Sequence, residues 1–462
     1  MTSLDSLTSS LVSEISGERD LIFQQLSEIT ALHSVHSVPE FAADHKAACD
    51  WVVAALKEIG QDFGLKVQRL PAESGIDTIV AHKPAQNGAP TVLLYSHYDV
   101  VRAGDPATWR TPPTQLTEVN GRWYARGAAD CKGNLIMHLS ALRAWKRHSP
   151  SSPLGLVIVV EGSEEQGGAE MHALLEQQPE LFQADAILVA DTGNEAVGVP
   201  TLTTALRGGA DFTVTTRTLE HGVHSGSFGG AAPDAVAALV RILDSFRDED
   251  GNTVIDGVDI STTWPGTGYP AEHFRKDAAI LPGVDVLGSD SDIASTVWAR
   301  PAITTIGFTS TPVVHAVNAV PAQAQARLNL RVPHNYDVET IVTAVKQHIQ
   351  AHTPWHAQVE VSVDTINQPF TTDIQGPAIQ QLAACLAASY NAAETHSVGN
   401  GGSIPLCSDL IQVNPRAELA LFGVEDPLTA IHSPNESVDP TEIFHVAAAE
   451  AAFLLTYPEI QR

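Results

Sequence analysis

Short, nearly unbroken apolar runs punctuate the first two hundred residues: Thr91–Tyr95 (TVLLY), Leu154–Val160 (LGLVIVV) and Ala186–Ala190 (AILVA). Each has the length of a strand and is rich in β-branched or aliphatic side chains, the pattern of a strand buried on both faces. Around them the apolar residues return at helical spacing. Residues 19–33 and 46–60 show it, the second through Ala48, Val52, Ala55 and Leu56, and Asn134–Lys146 and Ala169–Gln177 read as further helices. Doubly buried strands that alternate with helices predict an α/β architecture, a mixed sheet sandwiched by helices.

The pattern changes near Leu206. Residues 210–217 (ADFTVTTR), Ala324–Val332 and Gln358–Val363 alternate apolar with polar, and helical stretches fall at Pro233–Phe246 and Val338–Ala351. One-sided strands with helices on one face predict a smaller α+β domain inserted at 206–365. It divides a larger domain into a first part, 1–205, and a second part, 366–462. The second part reads as a helix (Pro377–Tyr390), a Gly-rich turn (Gly399–Gly402), a strand (Leu419–Phe422) and a final helix (Pro440–Thr456).

Charge narrows the function. The 462 residues carry 26 basic and 54 acidic side chains, a formal charge of −28. Such a surface repels phosphate backbones, which argues against nucleic-acid and anionic-membrane binding. Hydrophobic residues at 44% leave ample material for a core. The four cysteines, Cys49, Cys131, Cys385 and Cys407, are far apart and form no CxxC pair, which excludes a cysteine-built zinc ribbon and argues against a disulfide scaffold. The polar N-terminus lacks the basic and apolar regions of a secretory signal, and no apolar run reaches the roughly 18 residues of a membrane span. A cytoplasmic enzyme is expected.

Its chemistry is concentrated where the strands end. His97 and Asp99 follow TVLLYS, Asp130 sits in ARGAADCKGN before a helix, Glu164 and Glu165 follow VIVVEGS, Asp191 follows AILVA, and His432 lies beyond the strand at Leu419–Phe422. Taken singly, each has a structural explanation: a surface His-x-Asp, a surface Glu pair, an Asp capping a helix. Together at strand carboxyl ends, with Gly-rich flanks, they form a mixed imidazole and carboxylate donor set. A catalytic zinc takes about four ligands and keeps one position open, so this many donors suits two ions about 3.5–4 Å apart sharing a carboxylate. Adjacent side chains diverge, so one of Glu164 and Glu165 can bind metal while the other stays free as a general base. Asp99 is placed to orient His97.

TVLLYSHYDVV, GRWYARGAADCKGN, EGSEEQGG and ADTGN resemble, in order, the signatures of the aminoacylase/carnosinase family of co-catalytic zinc exopeptidases. The order continues with HSGSFGG, NAVPAQAQARLNLRVP, GGSIP and AIHSPNE, so the resemblance spans about Tyr95 to Val438. HSGSFGG and GGSIP bring it nearest to the dipeptidase branch. The resemblance implies two Zn²⁺ per chain, with Mn²⁺ as an alternative. His97 and Asp191 would hold one ion, Glu165 and His432 the other, and Asp130 would bridge them beside a cis peptide to Cys131. Glu164 would be the general base and Asp99 the support of His97. The inserted domain resembles a lid that also forms a homodimer, with His224 reaching the neighbouring subunit's site to polarise the scissile carbonyl. Arg331, Ser403 and Gly402 would bind the substrate's C-terminal carboxylate, and Asn318 would add a polar contact.

Two positions depart from the family. Asp130-Cys131-Lys132-Gly133 stands where Asp-Asp-Lys-Gly or Asp-Asn-Lys-Gly is usual, and Gly376 lies where the carnosinase-like subgroup has a histidine. The expected activity is hydrolysis of dipeptides, Cys-Gly among them. N-acyl amino-acid deacylation and carboxypeptidase activity on the same scaffold are the alternatives, and a fold that kept its shape and lost its chemistry is a third. An intact Glu164 with all five ligands speaks against the last.

Overall fold

The computed structural model describes residues 3–72, 74–402 and 404–460. It forms two compact units. The first comprises Met1–Thr204, Thr372–Val398 and Pro405–Arg462; the second comprises Ala205–Thr371 with Gly399–Ile404.

The first unit is built on a mixed sheet. From one edge its strands run Lys66–Pro71, Asp77–Lys83, Gly155–Glu161, Thr91–His97, Ala186–Ala190, Glu418–Phe422 and Thr201–Leu206. The four central strands, from Gly155–Glu161 to Glu418–Phe422, are mutually parallel, and the outer ones are antiparallel. The unbroken apolar runs have their cause here. Val92, Leu94, Ile158, Leu188 and Phe422 face one large core, while Leu93, Tyr95, Val159, Val189 and Leu421 are equally buried on the other side. Helix Lys132–His148 packs against the long helix Pro440–Ile460, which also meets Leu4–Gly17 and Pro377–Ser389. Helices Ala169–Gln177 and Pro405–Val413 pack on each other. Among the described residues no helix is long and apolar enough to cross a membrane.

The second unit has a four-stranded antiparallel sheet in the order Ala302–Thr309, Gln323–Val332, Gly208–Arg217, Gln358–Asn367. Phe212, Val214, Ala326, Leu328 and Leu330 face a second core shared with helices Ala235–Asp244 and Val338–Ala351. Asp211, Thr213 and Arg327 alternate with them on the wetter face. Period-two strands and two amphipathic helices give this layer, as the alternation predicts.

The polar N-terminus forms a helix, Leu4–Gly17, with Thr8, Leu11 and Ile15 on its buried face. One local expectation is corrected. The Gly-rich stretch expected as a turn from Gly399 is strand up to Asn400, since His396–Asn400 pairs in a sheet.

Candidate metal centre

Because the central strands run parallel, their carboxyl ends lie along one edge of the sheet, where the backbone leaves side chains free of the ladder. His97 is the last residue of its strand, and Asp191 directly follows Ala186–Ala190. Glu164 and Glu165 form a single 3-10 turn just beyond Gly155–Glu161. His432 lies in the loop after Glu418–Phe422, and Asp130 precedes helix Lys132–His148 through a cis peptide to Cys131. His432 and Ala430 hold left-handed backbone, φ 58° and 53°, which non-glycine residues adopt at a cost.

The five residues converge. His97 Nε2 lies 3.1 Å from Asp130 Oδ1 and 3.2 Å from Asp191 Oδ1. His432 Nε2 lies 3.0 Å from Asp130 Oδ2 and 2.9 Å from Glu165 Oε2. The two oxygens of Asp130 thus face different imidazoles, so one carboxylate joins two donor sets. The neighbouring glutamates differ as adjacent side chains should. Glu165 is 3% exposed at its side chain and accepts the Val101 N–H, whereas Glu164 is 23% exposed and stands 3.9 Å from His97 Nε2.

Burial and charge crowding shift Glu164, Asp191, His432 and His97. Burial raises the Glu164 carboxyl well above its ordinary range, Asp191 adds to the rise, and His97 partly offsets it. Burial likewise pushes Asp191 up to about 6. Hydrogen bonds to Asp130 and Glu165 carry His432 up to about 10. Burial opposes protonation of His97, yet its hydrogen bonds with the Asp130, Asp191 and Asp99 carboxylates bring its pKa well above the imidazole norm. Carboxylates outnumber imidazoles in this cluster, and all are hard oxygen or borderline nitrogen donors. That chemistry fits divalent cations held as two ions around Asp130. Cys131 also lies within ligand range of His97 and Asp191. Its Sγ donates to the Ala190 carbonyl at 3.1 Å and burial pushes its pKa up to about 12, so it stays a protonated, packed thiol.

Sequence reasoning missed the group that sets Asp130. Glu436 is buried and accepts the N–H groups of Gly127 (2.8 Å), Ala129 (3.0 Å) and Asp130 (3.1 Å), while Arg126 pairs with it at 2.6 Å. Charge-assisted bonds of this kind contribute about 1.5–3 kcal/mol each. Asn134 ties the same loop to Val424, whose N–H it accepts at 2.9 Å. The acid four residues after His432 in AIHSPNE was the available signal.

The remaining predicted residues lie in the second unit, apart from Ser403, which falls outside the described residues. His224 is exposed, pairs in a two-stranded ladder with Ala319, and has Ser227 Oγ 3.4 Å from its Nδ1. Asn318 is exposed, and its carbonyl accepts the Ser225 N–H at 2.9 Å. Arg331 is half-buried on strand Gln323–Val332, opposite Gly209 and Ala302, and Gly402 donates to the Asn400 side chain at 2.9 Å.

Imidazole and carboxylate donors grouped around one shared aspartate, at the carboxyl edge of a helix-covered sheet, define a metal-dependent hydrolase. The chain belongs to peptidase family M20/M25/M40, whose model it matches over residues 93–456. It is 53% identical over 441 residues to the cysteinylglycine-S-conjugate dipeptidase of Corynebacterium striatum, covering 95% of this chain and 96% of that protein. It is 24% identical to the human beta-Ala-His dipeptidase, over 96% of this chain and 91% of that one. Its fold is that of the crystal structure of human carnosine dipeptidase 1, with a TM-score of 0.79 at 22% identity over 98% and 99% of the two chains.

Proposed function

We propose that this protein hydrolyses the amide bond of dipeptides with a free N-terminus, cysteinylglycine and its S-conjugates foremost. The observation that carries the reading is Asp130, whose Oδ1 and Oδ2 face His97 at 3.1 Å and His432 at 3.0 Å. The 53% identical relative from Corynebacterium striatum supports the substrate class. Two Zn²⁺, with Mn²⁺ as the alternative, would polarise the scissile carbonyl and acidify a water when bound. His97 and Asp191 would hold one ion, Glu165 and His432 the other, and Asp130 would bridge.

Glu164 takes the proton of the attacking water and returns it to the leaving amine. It stands 3.9 Å from His97 Nε2 and is the more exposed of the two glutamates, which suits a carboxylate that exchanges a proton rather than one that binds an ion. Asp99 positions His97 and the turn carrying Glu164. In this reading 206–365 is a lid and dimerisation domain of a cytoplasmic homodimer. His224 would act on the neighbouring subunit's oxyanion, and Arg331, Asn318, Gly402 and Ser403 would hold the substrate's C-terminal end. A guanidinium fork beside backbone N–H groups suits a carboxylate.

The test is a substrate panel run with added Zn²⁺ or Mn²⁺. Cys-Gly, an S-alkylated Cys-Gly, β-Ala-His and Ala-Ala are compared with N-acetyl amino acids. Turnover of dipeptides is expected; turnover of acylated substrates alone would make the protein a deacylase.

A further inference from the structure

Glu425 is a carboxylate of the metal centre that the five ligands and Glu164 leave unused. Its carboxylate lies within 4.8 Å of ligand oxygens of both Asp130 and Asp191. Its backbone is pinned there. Residues Gly193 and Glu425 form a parallel bridge, and the Glu425 carbonyl accepts the Asn194 N–H at 2.8 Å. A Cβ at position 193 would come within 2.1 Å of that carbonyl, so only glycine permits the approach. Among the described residues the Glu425 carboxylate forms no hydrogen bond or ion pair. An acid held among other acids without a partner needs a cation to face.

Two cations are candidates, a metal ion and the ammonium group of a substrate. A metal role conflicts with catalysis. His97, Asp191 and Asp130 already offer three protein donors to one ion, and a fourth would close the tetrahedron that a catalytic site keeps open. The ammonium does not conflict. In a dipeptide the α-nitrogen lies about 2.5 Å from the scissile carbonyl carbon, across one Cα. A carbonyl held beside Asp130 and Asp191 would therefore keep its ammonium within a few ångströms of Glu425, whose carboxylate lies within 4.8 Å of theirs.

Resting on the dipeptidase reading above, we infer that Glu425 receives the substrate's free α-ammonium group and so selects unblocked N-termini. A blocked amine would leave this carboxylate desolvated and unpaired, which rejects acylated substrates as well as favouring free ones.

The experiment compares two phosphinic dipeptide analogues that do not turn over, one with a free amine and one N-acetylated. Binding is measured by calorimetry on the metal-loaded protein and on Glu425→Gln, which keeps the size and removes the charge. The variant should bind the free-amine analogue about 10–100-fold more weakly and the acetylated one unchanged. Its metal content should match the parent, and its kcat/KM on Cys-Gly should fall by the same factor, mainly through KM. Glu425→Asp retains the charge, should keep the preference, and serves if the Gln variant does not fold. Equal weakening of both analogues, or loss of metal, would overturn the assignment. So would an unaltered preference in Glu425→Gln when the parent favours the free amine, and that result leaves the dipeptidase reading intact. A parent protein that prefers the acetylated analogue overturns both.

Discussion

Asp99 lies 3.2 Å through Oδ1 from His97 Nδ1, with both side chains fully buried. The same carboxylate accepts the backbone N–H of Glu164 at 3.2 Å and of Glu165 at 3.1 Å. One acid therefore fixes the imidazole at the end of one strand and the turn at the end of its parallel neighbour. With the Nδ1 proton directed at Asp99, Nε2 is the ring atom left to face Asp130 and Asp191, and the one that would ligate an ion there.

Replacing Asp99 with Asn would set an amide N–H against one of these donors. Metal affinity and kcat should each fall by about 10–100-fold, the range seen when such supporting partners are removed. Metal titration and steady-state kinetics on Asp99→Asn check this; normal values for both would show that His97 is held by its packing alone.

Glu164 and Glu165 should separate cleanly. Glu164→Gln should lower kcat by at least about 10²–10⁴-fold while elemental analysis still finds two ions per chain. Glu165→Gln should lose metal, because its carboxylate is buried against His432. A reversed pattern would exchange their roles. Chelation of the parent protein should lower its melting temperature, since ions that bind only the folded state add to its stability.

Glu161, beside His97 in the ladder but not itself a proposed ligand, offers a pH test. It accepts hydrogen bonds from Tyr95 (2.7 Å) and Ser163 (3.0 Å), and burial pushes its pKa up to about 7 from an ordinary 4.5. The folded state thus holds this proton more tightly than the unfolded state. Its stabilising contribution is complete below about pH 4.5 and is lost as pH rises through about 7. The loss amounts to about 3 kcal/mol at most. Glu161→Gln is neutral like the protonated acid and nearly its shape, with an NH2 donor group in place of the O–H. Its melting temperature relative to the parent should climb from pH 4.5 to 7 and level off above. A constant difference across that range would mean that Glu161 ionises normally.

Much of this was legible in sequence, for physical reasons. A strand buried on both faces must be apolar throughout, so 91–97, 155–161 and 186–190 announced themselves, and polar residues at their ends stood out. Glu425 and Glu436 did not. They sit in the irregular loop of 423–436, where no periodicity distinguishes a buried acid from a solvated one. Only the folded chain shows that Glu436 collects three backbone N–H groups. The N-terminal helix gave little contrast, because one of its three fully buried side chains, Thr8, is polar and serines are spread over its other faces.

His224 carries the last prediction. It is exposed in the second unit, in the short ladder with Ala319 and next to Ser225, whose N–H the Asn318 carbonyl accepts. An imidazole so displayed, on a domain proposed to pair two chains, serves either its own subunit or the partner. His224→Ala should reduce kcat by about 10²–10³-fold with little change in melting temperature, the cost of one oxyanion donor. Glu164→Gln is inactive for a different reason. When the two variants exchange subunits, a heterodimer contains one site with an intact Glu164 and an intact donated His224, provided His224 acts across the interface. Part of the activity then returns. If His224 acts within its own chain, every site in the heterodimer lacks one of the two groups and no activity returns. Mass measurement of the mixture verifies that heterodimers formed. A silent, verified heterodimer would refute the assignment across subunits without touching the metal ligands, and a His224→Ala protein with lowered stability but normal turnover would make the residue structural.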